Sequence, residues 1–259
     1  MRRRSAPSTP CSASGPGCTP SGRTEPVDLR CARIDVADLT GARLVDCDLT
    51  GVKVVDSWLV GVDVTDFVEG ELERRHPERV RLRGIGHADG FRAMWDTVER
   101  LWTADVERAR QLPEPALHER VNGEWSFVET PRHLVFITDS WASRTVLDEP
   151  MPHDRLGLPQ TAYAPEDAAA LAIELDARPS FADVLAVRAE RMATVRRIVE
   201  GLADADLGRP CPRSPAPGYP AEERHVGDCL GVVMEEECEH HRFAVRDLPR
   251  LEVADPPLR

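Results

Sequence analysis

Residues 235–248 read EEECEHHRFAVRDL, and the first seven positions hold four glutamates, two histidines and a cysteine. On a helix, residues four apart stack on one face with roughly 5–6 Å between their Cβ atoms. Glu236 with His240, and Glu237 with His241, each therefore present an acid beside an imidazole. Two ligands from one helix, completed by a third from a neighbour, are how helical bundles hold divalent ions. His133 is the candidate for that third position. Of the eight histidines only His133, His240 and His241 fall within the four long expected helices, and His133 lies in line with the apolar Ile137 and Trp141. The competing reading is a solvated helix face and a hydrogen-bonded core histidine. A zinc-protease HExxH reading fails, because its first histidine is missing.

Periodicity bears on which couple faces inward. Val226, Leu230, Val233, Ala244 and Leu248 mark the buried face of a last helix over about 226–248, and Glu235, Glu239, Arg242 and Arg246 mark the wet one. On that wheel Glu237 and His241 lie close to the buried centre, His240 nearly as close, and Glu236 nearer the edge, a mild preference for the second couple. A carboxylate so placed carries a heavy desolvation cost that a cation would remove. Arg188 interrupts the apolar stripe of the preceding helix, either snorkelling to the surface or holding a substrate carboxylate in a two-pronged grip. Cys238 sits roughly 160–200° around the helix from Glu236 and cannot share its site, so it reads as an inert or surface thiol. Cys229 reads as small core filler. Asp139 either supports a ligand from behind or faces solvent.

Four helices must position these groups. Phe91, Met94, Trp95, Val98, Leu101, Trp102, Val106 and Leu112 recur at three and four, predicting a helix over about 89–112 that Pro113 and Pro115 end. A second opens near Ser126–Glu129, a capping-box spacing, or at Thr130 with Pro131 as first residue, and runs to about Leu147. Ser180 with Asp183 caps a third, whose stripe is Phe181, Val184, Leu185, Met192, Val195, Val199 and Leu202. Helices of ~20 residues, each ~30 Å long, make a four-helix bundle. Residues 149–179 read as an ordered loop, 204–225 as a Pro-rich loop, and Phe67 to His76 as a short helix stopped by Pro77.

Ahead of the bundle the chain keeps a period of five. Leu29, Ile34, Leu39, Leu44, Leu49, Val54, Leu59 and Val64 recur, with Ala32, Ala37, Ala42 and Cys47 among the residues two places earlier. Neither the helical nor the strand period accounts for eight such steps. The pattern resembles the pentapeptide-repeat family, which implies a right-handed, four-sided β-helix of about two coils. So short a stub is expected to cap and dock on the next domain, although longer members imply a partner-binding surface or DNA mimic. The expected organisation is a Pro-, Ser- and Gly-rich disordered leader over 1–25, the repeat segment over 26–67, a charged connector over 68–86, the bundle over 87–250 and a tail over 251–259.

GEWSFVETPRHLVFITDSW, residues 123–141, and VMEEECEHHRFAVRDL, residues 233–248, resemble the two signature helices of the DinB-like superfamily. That group includes thiol-dependent transferases and mycothiol-dependent maleylpyruvate isomerases. The resemblance implies a mainly α fold, a four-helix bundle whose divalent metal is held by a histidine of helix two and an HxxxH pair of helix four, ExxxH in the isomerase branch. By that likeness His133, Glu236 and His240 are the metal ligands, with Glu237 and His241 as second register. Zinc comes first, and nickel or ferrous iron suits the same donors. A low-molecular-weight thiol is the implied second cofactor, and a small molecule the substrate. A non-catalytic interaction module and a metal-dependent hydrolase are the alternatives. A homodimer is compatible, since related bundles often dimerise.

Composition sets the outer bounds. A net charge of −12 over 259 residues disfavours a nucleic-acid partner, which calls for a basic surface. Seven cysteines without a disulfide-framework or CxxC spacing point to a reduced, cytoplasmic protein. No window is apolar enough for a membrane span, and the arginine-led N-terminus lacks a signal peptide's apolar run.

Overall fold

The structure, a computed structural model, describes residues 58–59, 62–63, 65–121 and 123–254. The expected leader and most of the pentapeptide segment lie outside them. Of the repeat's last residues, β1 (Trp58–Leu59) and β2 (Val62–Asp63) pair antiparallel, Trp58 opposite Asp63.

Helix α1 (Thr65–Arg75) ends just before Pro77, whose ring cannot continue a hydrogen-bonded turn. The charged stretch expected as a connector is itself helical, as α2 (Glu78–Arg83), which packs on the bundle. The four long helices follow. Helix α3 (Ala88–Ala109) starts at His87, whose Nδ1 accepts the Gly90 N–H at 3.0 Å, and stops three residues short of the expected end. Phe91, Met94, Trp95, Val98 and Trp102 are buried along it. After the short α4 (Glu114–Leu117), the Ser126–Glu129 capping box closes: the Glu129 N–H donates to Ser126 Oγ at 3.2 Å and the Ser126 N–H to Glu129 Oε2 at 2.9 Å.

That box opens α5 (Glu129–Ile137), which runs straight into a π-helical segment, Thr138–Val146. There the Thr145 hydroxyl and the Leu147 N–H reach back five residues, to the carbonyls of Ser140 and Ala142. Asp148, at φ 60°, ends the segment in a left-handed turn that Asp tolerates better than most residues. Within the following loop sits α6 (Pro165–Ala170), a helix the five-proline composition concealed. Helix α7 (Phe181–Gly201) carries the Ser180–Asp183 capping box, with the Asp183 N–H donating to Ser180 Oγ at 3.2 Å. A turn of 3-10 helix, Asp204–Asp206, lies in the last loop, where Asp204 Oδ1 accepts the N–H of Ala88 at 2.7 Å and so caps α3.

Helix α8 (Val226–Ala254) outruns its expected end at Leu248, because Pro249 keeps a helix-compatible φ and forfeits only one backbone hydrogen bond. Around the bundle, α3 and the α5–π helix each pack against both α7 and α8, so α7 and α8 oppose each other across one diagonal. The core is continuous, from Trp95 and Leu134 through Val195 to Leu230 and Leu248.

Candidate metal centre

Helix α5 and helix α8 bring three candidate ligand atoms together. His240 Nε2 lies 3.1 Å, and His133 Nε2 3.4 Å, from Glu236 Oε2. Among the described residues, these three alone offer metal-ligating atoms that all fall within 4.8 Å of one another. In a tetrahedral zinc site with bonds of 2.0–2.1 Å, neighbouring ligand atoms stand about 3.4 Å apart. The two spacings to Glu236 match such a site, and the two imidazoles offer nitrogens within 4.8 Å of each other.

A backbone group chooses the His133 tautomer. Its Nδ1 lies 2.8 Å from the carbonyl of Leu158, which can only accept, so Nδ1 carries the proton and donates. The lone pair of the neutral ring is then on Nε2, facing the centre, an orientation typical of a ligating histidine supported from behind. His133 is buried, and burial lowers its pKa and keeps it neutral. Burial works to raise the Glu236 carboxyl, but protons presented to it by the imidazoles of His133 and His240 would prevail and hold it down to about 2. With the neutral His133 protonated on Nδ1, it is instead a lone pair on Nε2 that faces the carboxylate. Acceptor meets acceptor, a repulsion that a cation between them would remove. The donor set fits a divalent ion.

Trp125 covers the two imidazoles. Its ring centroid is 4.4 Å from that of His133 and 5.6 Å from that of His240, nearly parallel to the latter at 18°. Opposing this closure, the Glu236 side chain keeps 34% of its surface, so the centre is reachable from solvent. Tyr219 is close enough to feel the Glu236 charge, and burial, followed by that charge, raises its hydroxyl's pKa.

The second register is placed elsewhere. Glu237 is 1% exposed and salt-bridged to Arg188 of α7. His241 points at α3, where its Nε2 lies 2.6 Å from Asp105 Oδ2, out of line for a hydrogen bond. Periodicity had placed this couple near the buried centre, and it is the more buried of the two; burial and proximity to His133 are different faces of α8. Arg188 does meet a carboxylate, but one of the chain's own. It does not snorkel to the surface: it is 4% exposed, its Nη2 is on Glu237, and its Nη1 has no hydrogen-bond partner among the described residues. Asp139 does not face solvent: it is 1% exposed, 2.7 Å from Arg191 Nε, and accepts the Asp154 N–H at 2.9 Å. Cys238 is no surface thiol, and its burial pushes the pKa up to about 12. Cys229 is buried in the core as expected, its Sγ 4.0 Å from that of Cys211.

Three contributors had not been singled out from sequence. Trp125 had a signal, a bulky aromatic in the loop just before a capping box. Arg132, beside His133 and 2% exposed, donates to the carbonyls of Leu156, Glu174 and Ala177 at 2.9, 3.2 and 3.0 Å. The Leu158 carbonyl had no signal, because a backbone group looks the same in every sequence.

A model of the DinB superfamily matches residues 97–244, more than half of the chain, and spans both helices of the centre. This chain belongs to the DinB superfamily. No curated protein and no solved structure matched it. As a DinB-superfamily member it has the mainly helical fold expected, and no described helix is long and apolar enough to cross a membrane.

Proposed function

We propose that this DinB-superfamily protein is a divalent-metal-dependent enzyme that activates a low-molecular-weight thiol for transfer or isomerisation. The observation carrying the reading is the convergence of His133 Nε2, Glu236 Oε2 and His240 Nε2, two imidazoles and a carboxylate, with spacings of 3.1 and 3.4 Å. These three residues would hold the ion, zinc first, with nickel and ferrous iron suiting the same donors because two imidazoles and a carboxylate discriminate weakly. Three protein ligands on a tetrahedral ion leave one position open, the mark of a catalytic site. A bound divalent ion supplies a Lewis acid that favours thiolate over thiol.

The chain's own residues do the rest. The Leu158 carbonyl keeps the His133 proton on Nδ1, away from the centre. Trp125 excludes water from the side on which it covers the imidazoles. The exposed edge of Glu236 leaves an approach for a small substrate. The thiol rests on the likeness of residues 123–141 and 233–248 to the thiol-dependent branch. Mycothiol, bacillithiol and glutathione are the ones to supply.

Elemental analysis of purified protein beside His133→Ala tests the metal. About one divalent ion per chain is expected in the wild type and a small fraction of that in the variant; equal content in both dismisses the site. Incubation of the metal-loaded protein with a model electrophile then tests the thiol. Turnover that proceeds unchanged without any thiol would transfer the reading to a hydrolase.

A further inference from the structure

Helix α8 carries two acid–imidazole couples offset by a single residue, which on a helix is a rotation of about 100°. Glu236 and His240 meet His133, whereas Glu237 and His241 meet α7 and α3. The second couple has unusual company for a core. Arg188 reaches Glu237 across the bundle diagonal, and both are 5% or less exposed as side chains. Asp105 approaches His241 at 2.6 Å, and the Trp102 ring meets the same imidazole edge-on, 5.4 Å between centroids. Arg108 Nη1 in turn donates to Asp105 Oδ1 at 3.2 Å.

Apolar side chains of similar volume would pack these helices as well or better, since a buried ion pair often returns no more than its desolvation cost. What an apolar layer lacks is any means of telling one face of α8 from the other when both carry the same two residue types. Setting register is the best-attested use of buried polar groups.

We propose that Arg188, Glu237, His241 and Asp105 form a rotational lock on α8, positioning residues that keep Glu236 and His240 turned toward His133. The lock is directional. Arg188 on α7 faces the acid of the couple, Asp105 on α3 turns its second oxygen, the one not taken by Arg108, to the imidazole, and the two helices hold α8 from different sides. It also separates the couples chemically: one is matched permanently by a guanidinium, so the other alone competes for an exchangeable ion. The inference deepens the metal reading and rests on it.

The test measures zinc affinity, by competition with a chromophoric chelator, alongside thermal stability. The double variant Arg188→Met/Glu237→Leu replaces the pair by apolar groups of similar volume. It is expected to melt at or above the wild-type temperature while losing about tenfold or more in zinc affinity, the usual scale for groups supporting metal ligands. Arg188→Lys, which keeps a cation for Glu237 but a shorter and more readily discharged one, is expected to lose less affinity than the double variant. A double variant that binds zinc as tightly as wild type overturns the lock, as does a loss of affinity no larger than the loss of stability accounts for. Should the double variant not fold, Asp105→Asn removes the other grip; weaker zinc binding supports the lock and unchanged binding overturns it. Wild-type protein that takes up no zinc sinks the metal reading itself, a failure plainly distinct from lock variants that bind like wild type.

Discussion

At the scale of single residues, what distinguishes His133 from the other histidines is the commitment of its two nitrogens. One is spent on a carbonyl, and the other is left as a lone pair beside a carboxylate. His153 shows the contrasting case of a histidine kept neutral without a site to serve. Its Nε2 lies 3.2 Å from Ser140 Oγ and its ring packs on Phe136. Burial, followed by the positive charges of Arg144 and Arg191, lowers its pKa from 6.5 to about 4. Between those values the unfolded chain binds a proton that the folded chain refuses. The stability His153 provides is therefore complete above pH 6.5 and drains away as pH falls toward 4. His153→Gln removes this titration. The stability advantage of wild type over the variant should then shrink by on the order of 1 kcal/mol between pH 7 and 4.5, after discounting for partial exposure, as read from urea midpoints at the two pH values. An advantage that holds constant or grows on acidification would contradict the assignment.

Among the elements, the loop between the π segment and α7 matters most to the centre, although it carries none of the three candidate ligands. Arg132 fixes its path by three carbonyl contacts, and the Leu158 N–H donates back to the Arg132 carbonyl at 3.0 Å. Arg132→Met keeps the bulk and strips the donors. It is expected to cost about 3 kcal/mol or more, because several buried carbonyls lose charge-assisted partners. Metal content should fall as well, since Leu158 no longer steadies His133; denaturant unfolding and elemental analysis read the two effects separately. This loop also marks how far the sequence could be read. The long helices were legible because Phe91, Met94, Trp95 and Val98, or Val226, Leu230 and Val233, repeat at the helical period, and because Ser126 and Ser180 announce their starts. Glu236 and His240 were reached through family likeness, against the mild preference of the helical wheel. The wheel measures depth in the core, and the deepest acid and imidazole on α8 went to Arg188 and Asp105 instead. The path of the loop, the π geometry of residues 138–146 and the support from Leu158 depend on tertiary contacts and main-chain atoms, which no residue pattern encodes. Pro249 misled for a related reason: a proline ends a helix only where its missing N–H and its ring cannot be accommodated.

For the molecule as a whole, a cation shared by α5 and α8 would bind the folded chain and not the unfolded one. Occupancy at 100 times Kd then adds about 2.7 kcal/mol by mass action. In a bundle of this size that is roughly 5–10 °C in melting temperature. Excess EDTA should lower the melting temperature of the zinc-loaded wild type by that amount and leave His133→Ala unmoved, by calorimetry; an equal shift in both would mean that chelation acts elsewhere. The net charge of −12 works in the same direction, favouring the approach of divalent cations and slowing that of anionic molecules. The side chains of Arg132 and His133 hydrogen-bond to their loop through its carbonyl oxygens. Mutations that respect the backbone can therefore alter the exposed side chain at position 174 and the half-buried ones at 158 and 177 while the imidazole keeps its aim. Substitutions along that loop could accumulate one at a time and leave the histidine pointing where it does.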